Sequence, residues 1–263
     1  MATVSIGGFS TFPSSFEEMG SSTKWVAIFF MLFSALNFSL HYKFFTKKEF
    51  LYFSSEESRF LLAWIFLLCI VSYFALFNND ISITDIIFNI ISVSTTTGFA
   101  SADYESWGGA MMLLLISGMF VGASTGSTGG GVKVVRVLIL FKQAINSIEQ
   151  LIHPHAILGI KYNKEPVKDK TMNSIWGFFS IFGITLFLGT LILTFCGNSF
   201  ETSWSAAIAC LTNTGPGFGS VGPNLNYAHI GSVSKVSLIF IMILGRLEIL
   251  TLFVLLSRSF WKK

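Results

Sequence analysis

The sequence predicts an all-α membrane protein assembled from a repeated unit: a span, a short helix, a glycine-centred polar string and a second span. Three observations carry that prediction. Of 263 residues, 52% are hydrophobic, only 12% are charged and 29 are phenylalanine, whereas a soluble domain carries about 25% charged residues. The mean hydropathy is +0.67. The order span, short apolar segment, string, span occurs twice in full, within 60–132 and 174–256, and residues 1–40 fit the back half of a third copy.

The net charge of +3 is small and gives no reason to expect a nucleic-acid partner. Cys69, Cys196 and Cys210 are scattered without a CxxC, and read as small apolar packing residues. Met1 leads directly into a polar, Gly-rich stretch with no basic n-region, so no signal peptide is expected.

Taken in order, residues 1–24 are polar, with Gly7, Gly8, Pro13 and Gly20, and Trp25–Leu40 is a nearly unbroken apolar run that ends in His41, Lys43, Lys47 and Lys48. About 20 residues cross the hydrocarbon, so this run spans with its flanks. Residues 60–77 form the next span, stopped by Asn78-Asn79-Asp80. Residues 84–94 are apolar but too short to cross, and Thr84 and Asp85 suit a helix start. Residues 107–123 span again and run into the Gly-rich stretch 122–131. Val132–Phe141 is apolar apart from Lys133 and Arg136, and 142–170 is basic. A span at 174–195, a short helix at 199–211 with Ser199 as cap and Glu201 in its first turn, a string, and a last span at 236–256 complete the chain. Gly98 and Gly215 align, as do Asp85 and Thr202 at the same distance upstream. This is an internal repeat, divided as 1–50, 51–150 with the loop 122–131, and 151–263.

Lysine and arginine placement sets the topology. The stretches 41–59, 142–170 and 257–263 hold twelve of the seventeen, and none lies between Phe60 and Val132 or between Thr171 and Ser234. Under the positive-inside rule these three stretches face the cytoplasm. All strings then face outside, the C-terminus is cytoplasmic, and the repeats are parallel.

The strings are Ser5-Ile6-Gly7-Gly8-Phe9-Ser10-Thr11, Thr95-Thr96-Thr97-Gly98-Phe99 and Asn213-Thr214-Gly215-Pro216-Gly217. A cation entering a bilayer trades its hydration shell for protein oxygens, and backbone carbonyls and Thr hydroxyls supply these without full charges. Glycine tolerates the dihedrals that turn successive carbonyls toward one axis, and a preceding short helix aims its negative end at the same place. One such string reads as an external turn; three in matching contexts read as ion-selectivity filters.

The stretch 122–131 is too close to apolar segments for a flexible linker, and irregular backbone at membrane depth must line a cavity or be buried in protein. It is expected to break a long helix beneath the strings and act as a gate. Gly126 and Gly131 have phosphate-loop spacing, but Val132 follows where Lys-Ser/Thr is needed. Arg246, in Gly245-Arg246-Leu247-Glu248, falls mid-span and is expected to face the pore, hydrogen-bond the 122–131 loop and act as an electrostatic barrier. Lys133 and Arg136 are expected to snorkel near the inner boundary. Trp25, Trp64, Trp107, Trp176 and Trp261 are expected at the interfaces, and His153-Pro154-His155 in a solvated cytoplasmic turn.

The three strings, Gly126-Ser127-Thr128-Gly129-Gly130-Gly131-Val132-Lys133-Val134-Val135-Arg136, His153-Pro154 and Gly245-Arg246-Leu247-Glu248 resemble the Trk/Ktr potassium transporter superfamily along essentially the whole chain. The resemblance implies units of the potassium-channel-like type, four to a pore, with potassium as the transported and filter-bound ion and no covalent cofactor. It implies filters at Ile6, Gly7 and Gly8, at Thr96, Thr97 and Gly98, and at Asn213, Thr214 and Gly215, and a gate at Gly126, Gly129, Gly130, Gly131 and Arg246. It also implies a homodimer in the lipid of a bacterial inner membrane, with a cytosolic nucleotide-binding regulatory subunit of the TrkA type. Against four repeats, this chain is incomplete, with two full repeats plus the end of a third. Met1 looks like an internal methionine, so a truncated product is expected. Two other readings stand beside this one: an ion-coupled solute carrier, whose repeats are often inverted where these are parallel, and a non-conducting membrane fragment. No nucleophile–base pair, carboxylate cluster or metal spacing suggests an enzyme.

Overall fold

The computed structural model describes residues 1–154, 159–256 and 258–261. Helices α1 (Ser21–Ala35) and α2 (Phe38–Lys47) are followed by α3 (Glu56–Ala75), α4 (Ile83–Ser94), α5 (Gly109–Val121) and α6 (Val134–Ile152). A two-stranded hairpin, β1 (Lys161–Tyr162) and β2 (Glu165–Pro166), leads to α7 (Asp169–Phe195), α8 (Phe200–Leu211), α9 (Ser232–Arg246), α10 (Ile249–Leu256) and the single turn α11 (Arg258–Trp261).

Helices α3 and α7, of 20 and 27 residues, are long and apolar enough to cross a membrane; at 1.5 Å per residue they measure about 30 and 40 Å. Their outer faces stay apolar, with Phe66, Leu67 and Phe74 on α3 and Ile184 and Phe187 on α7 all exposed. The short helices α4 and α8 are the reverse. From Phe88 to Ser94 and from Ser205 to Leu211 every residue is buried. Three apolar clusters join around them: α3, α4 and α5 with part of α8; α1, α3 and α4; and α7, α8 and α9.

Two expected spans are bent. The run Trp25–Leu40 does not cross as one helix, because α1 and α2 meet at 96°. Asn37 is extended and caps α2, its side chain accepting from the Ser39 amide at 2.8 Å. The Phe38 N–H, left without a helical partner, donates to the Gly126 carbonyl at 3.1 Å. The run 236–256 is likewise two helices, α9 and α10, bent by 103° at Leu247-Glu248, where Glu248 takes φ 56°. Helix α5 stops at Gly122, φ 68°, and is 13 residues long.

The hairpin stands within the basic segment 142–170. Asn163 and Lys164 take φ 49° and 71° at its tip, the double left-handed turn that suits two-residue hairpins. His153 caps the end of α6, and His155 of the expected histidine turn lies outside the described residues. Trp25, Trp176 and Trp261 are exposed, but Trp107 is buried beside Tyr104 and Trp64 is half-buried, so these last two pack inside the protein.

Candidate functional site

The three strings share one backbone. Each has two left-handed residues separated by one that is not: Ile6 and Gly8 (φ 51° and 65°), Thr96 and Gly98 (60° and 85°), Asn213 and Gly215 (57° and 107°). Their hydrogen bonds repeat at the same offsets. Gly7, Thr97 and Thr214 donate five residues back, to Ala2, Ser92 and Ala209, each at 2.8–2.9 Å. Ile6, Thr96 and Asn213 donate three residues back, to Thr3, Val93 and Cys210, at 3.0–3.3 Å. Ser5, Thr95 and Thr212 donate four residues back, at 2.9–3.1 Å.

These bonds orient the carbonyls. In a planar trans peptide the C=O points opposite to the N–H of the next residue. The amides of Thr96 and Thr97 turn back to α4, so the carbonyls of Thr95 and Thr96 point away from it. The amides of Asn213 and Thr214 turn back to α8, with the same result for Thr212 and Asn213. Helices α4 and α8 end at Thr95 and Thr212, their C-caps, so both carry their negative dipole ends to this point. Such an array of carbonyls and Thr hydroxyls can replace the water around a dehydrated cation.

The strings lie side by side. A Cβ on Gly8 would collide with the Thr97 carbonyl oxygen, and one on Gly98 with that of Thr214. Gly215 has nothing within 4 Å of its Cβ position. Thr95, Thr96, Thr97, Thr212 and Thr214 are buried. The hydroxyls of Thr95 and Thr97 are 2.7 Å apart, those of Thr212 and Thr214 2.9 Å.

Side chains outside the strings hold them in place. Ser92 Oγ donates to the Phe99 carbonyl at 2.7 Å. Asn89 accepts from the Ser101 amide at 3.1 Å. Ser205 Oγ donates to the Phe218 carbonyl and accepts from the Phe218 amide, both at 3.0 Å. Tyr227 Oη donates to the Gly215 carbonyl at 2.8 Å. A signal for the first three was present: Asn89, Ser92 and Ser205 are polar residues among apolar neighbours in the buried halves of the short helices.

The loop 122–131 sits against the helix-side ends of the strings. The Gly130 amide donates to Thr96 Oγ1 at 2.7 Å and the Gly131 amide to the Thr212 carbonyl at 2.9 Å. Thr128 Oγ1 donates to the carbonyl of Val4, the residue before the first string, at 3.2 Å. The approach is so close that a Cβ on Gly130 would overlap the Thr212 carbonyl oxygen. Beside the loop is a cavity of about 340 Å³ whose lining includes Lys133, Arg136, Arg246 and Glu248.

Arg246 is at the end of α9, at a helix break instead of mid-helix, and its Nη1 donates to the Thr128 carbonyl at 3.3 Å. Lys133 and Arg136 do not snorkel. Lys133 Nζ donates back to the Gly129 carbonyl. Arg136 pairs with Glu248 at 2.9 Å and lies over the Phe178 ring, 4.2 Å from its centroid. Both side chains find partners within the protein, a loop carbonyl for Lys133 and a carboxylate and an aromatic face for Arg136. The structure thus brings the string residues together with Gly129, Gly130, Gly131 and Arg246. Gly126 lines the same cavity as Gly129, Gly130, Gly131 and Arg246, with the Asn37 side chain against its Cβ position.

Among the described residues no group of three or more His, Cys, Asp or Glu could hold a metal ion.

Comparison with known proteins gives consistent results. The sequence profile described as TrkH, cation transport protein, matches residues 1–263. The Trk system potassium uptake protein TrkH of Halomonas elongata is 36% identical, covering 100% of this chain and 55% of that protein. Its Escherichia coli counterpart is 32% identical, over 100% and 56%. The crystal structure of the potassium transporter TrkH from Vibrio parahaemolyticus superposes with a TM-score of 0.93 at 32% identity, covering 99% of this chain and 57% of the other. The chain therefore spans about half the length of the relatives it matches.

Proposed function

Because the chain belongs to the TrkH cation transport family, a family of membrane transporters, we propose that it takes part in potassium uptake, contributing three walls of a selective pore and its gate. The observation that carries this reading is the threefold backbone signature: left-handed residues two apart at Ile6/Gly8, Thr96/Gly98 and Asn213/Gly215, each held by the same set of backward amide bonds. Three segments keep one unusual backbone while their side chains differ, which points to the backbone as the working part. In this reading the carbonyls of each string and the Thr hydroxyls replace the hydration shell of potassium, and the dipole ends of α4 and α8 favour the cation.

The division into 1–50, 51–150 and 151–263 follows as three parallel pore units, the first incomplete. The fourth wall is proposed to come from a segment outside these 263 residues and to stand beside Gly215, whose flank is open. The loop 122–131 is the gate. Its amides occupy Thr96 Oγ1 and the Thr212 carbonyl, oxygens that an ion leaving the strings would otherwise meet. Arg246, bonded to the loop at Thr128, places a positive charge next to it and raises the barrier to a cation. The basic stretches orient the strings outward and the C-terminus inward in a bacterial plasma membrane. The relatives are named as components of a Trk system, which supports further subunits; a second copy of this chain and a nucleotide-binding cytosolic subunit of the TrkA type are the proposed ones.

The test is Gly98→Ser in a complete pore containing this chain, read by rubidium and sodium uptake. Loss of discrimination between potassium and sodium is expected. Unchanged rubidium uptake with sodium still excluded would overturn the filter assignment.

A further inference from the structure

The described residues contain a buried carboxylate that the pore reading leaves unused. Glu57, in the first turn of α3, is 3% exposed and has no cationic partner within ion-pair distance among the described residues. Burying such a group is costly unless each oxygen is hydrogen-bonded. Both oxygens are. Oε1 accepts the backbone N–H of Thr125, in the loop, at 2.5 Å. Oε2 accepts from the Tyr162 hydroxyl, in the hairpin β1–β2, at 3.4 Å. The two contacts come from segments 37 residues apart in the chain, and Glu57 is their common acceptor.

The hairpin is fixed to the same helix end by further contacts. Asn163 Oδ1 accepts from the Glu56 amide at 3.1 Å, satisfying a helix N-terminal donor. Lys142 of α6 bonds both the Glu56 carboxylate and the Lys161 carbonyl. The phenol of Tyr162 is pushed up to about 12 by burial and by the Glu57 carboxylate, so it stays a donor throughout the physiological range. On the other side, the loop residue next to Thr125 is tied to α1, where the Ser124 amide donates to the Ala35 carbonyl at 3.0 Å.

We propose that Glu57 is a positioning residue for the loop 122–131, linking it to the hairpin Lys161–Pro166, so that a displacement of the hairpin also shifts the loop. This rests on the gate reading above, but its test does not use ion flux.

The experiment is hydrogen exchange of the loop amides in the protein held in lipid nanodiscs, comparing Glu57→Ala, Glu57→Gln, Tyr162→Phe and the double variant Glu57→Ala/Tyr162→Phe. Glu57→Ala is expected to speed exchange at Thr125 about tenfold, whereas Glu57→Gln, whose amide oxygen still accepts from Thr125, stays within about twofold of the parent. Tyr162→Phe, far from the loop in sequence, is expected to speed loop exchange two- to threefold in the parent and to add nothing in the Glu57→Ala background. Loop exchange unmoved by Tyr162→Phe, or effects of the two substitutions that add, would overturn the link. The two conservative variants decide the matter even if Glu57→Ala does not fold. Selectivity of Gly98→Ser separately tests the pore, so failure of one reading is distinguishable from failure of the other.

Discussion

Helices α4 and α8 are the same device anchored in two ways. Both are 12 residues long, both are buried, and both end in a string with the same dihedrals and amide bonds. Their starts differ. Asp85 in the first turn of α4 pairs with Lys24 of α1 at 2.6 Å, a bond 61 residues long in sequence, and the two side chains are 8% and 19% exposed for Lys24 and Asp85. At the aligned position α8 has Thr202. Its amide is capped by Ser199 at 3.3 Å, and its Oγ1 accepts from the amide of Ser220, beyond the string, at 3.1 Å. One start is held by a charge on another helix, the other by local polar groups. The string ends share one backbone and one set of amide bonds, while the starts are held by different partners.

The sharpest test of that contrast lies in the strings. Gly98→Ala combines a left-handed φ of 85° with overlap on the Thr214 carbonyl, and should cost about 4 kcal/mol, from roughly 1–2 of strain and the rest from overlap. Gly215→Ala, with the same handedness and no neighbour, should cost only the strain, about 1–2 kcal/mol. Thermal unfolding in detergent ranks the two, and equal losses would mean that the Gly215 flank is as closed as that of Gly98.

Next in size is the ion pair. Lys24→Met strands the Asp85 carboxylate in a largely buried site and should cost about 3 kcal/mol. Ser199→Ala removes only a cap and should cost about 1 kcal/mol. If chemical denaturation finds Ser199→Ala the more damaging, the two anchors are ranked wrongly.

The loop gives an effect on flux instead of stability. Gly130→Ala pushes the loop off the Thr212 carbonyl and should raise rubidium flux through a complete pore several-fold; a fall to nothing would count against the loop as a barrier. Smallest is Glu248→Gln, which breaks the pair with Arg136. The Glu248 side chain is 55% exposed, so its loss should shift stability by less than about 1 kcal/mol.

Local information went far in this protein. The spans α3 and α7, the short helices α4 and α8, the Ser199 cap and the break at Gly122 are written in runs of apolar residues and in single polar or glycine residues, because each is decided within a few residues. The sites where α1 meets α2 and α9 meets α10 were missed. A hydropathy window averages over Asn37 or Glu248, yet one residue leaving helical dihedrals is enough to turn the axis by 96° or 103°. The hairpin was missed because its tip, Asn163-Lys164, lacks glycine.

By itself the sequence determined which segments are apolar enough to be buried or to face lipid, where the repeats align, and which three strings share a shape, since all of these depend on composition and local spacing. Only the tertiary structure decided which string lies beside which, that Lys24 meets Asp85, that Arg136 and not Arg246 takes Glu248, and that the loop's amides reach Thr96 and Thr212. These are pairings between groups 34 to 116 residues apart, and no local pattern specifies a partner so distant. They are selected because a buried charge or amide must find some complementary group, and the packing of the helices leaves one within reach.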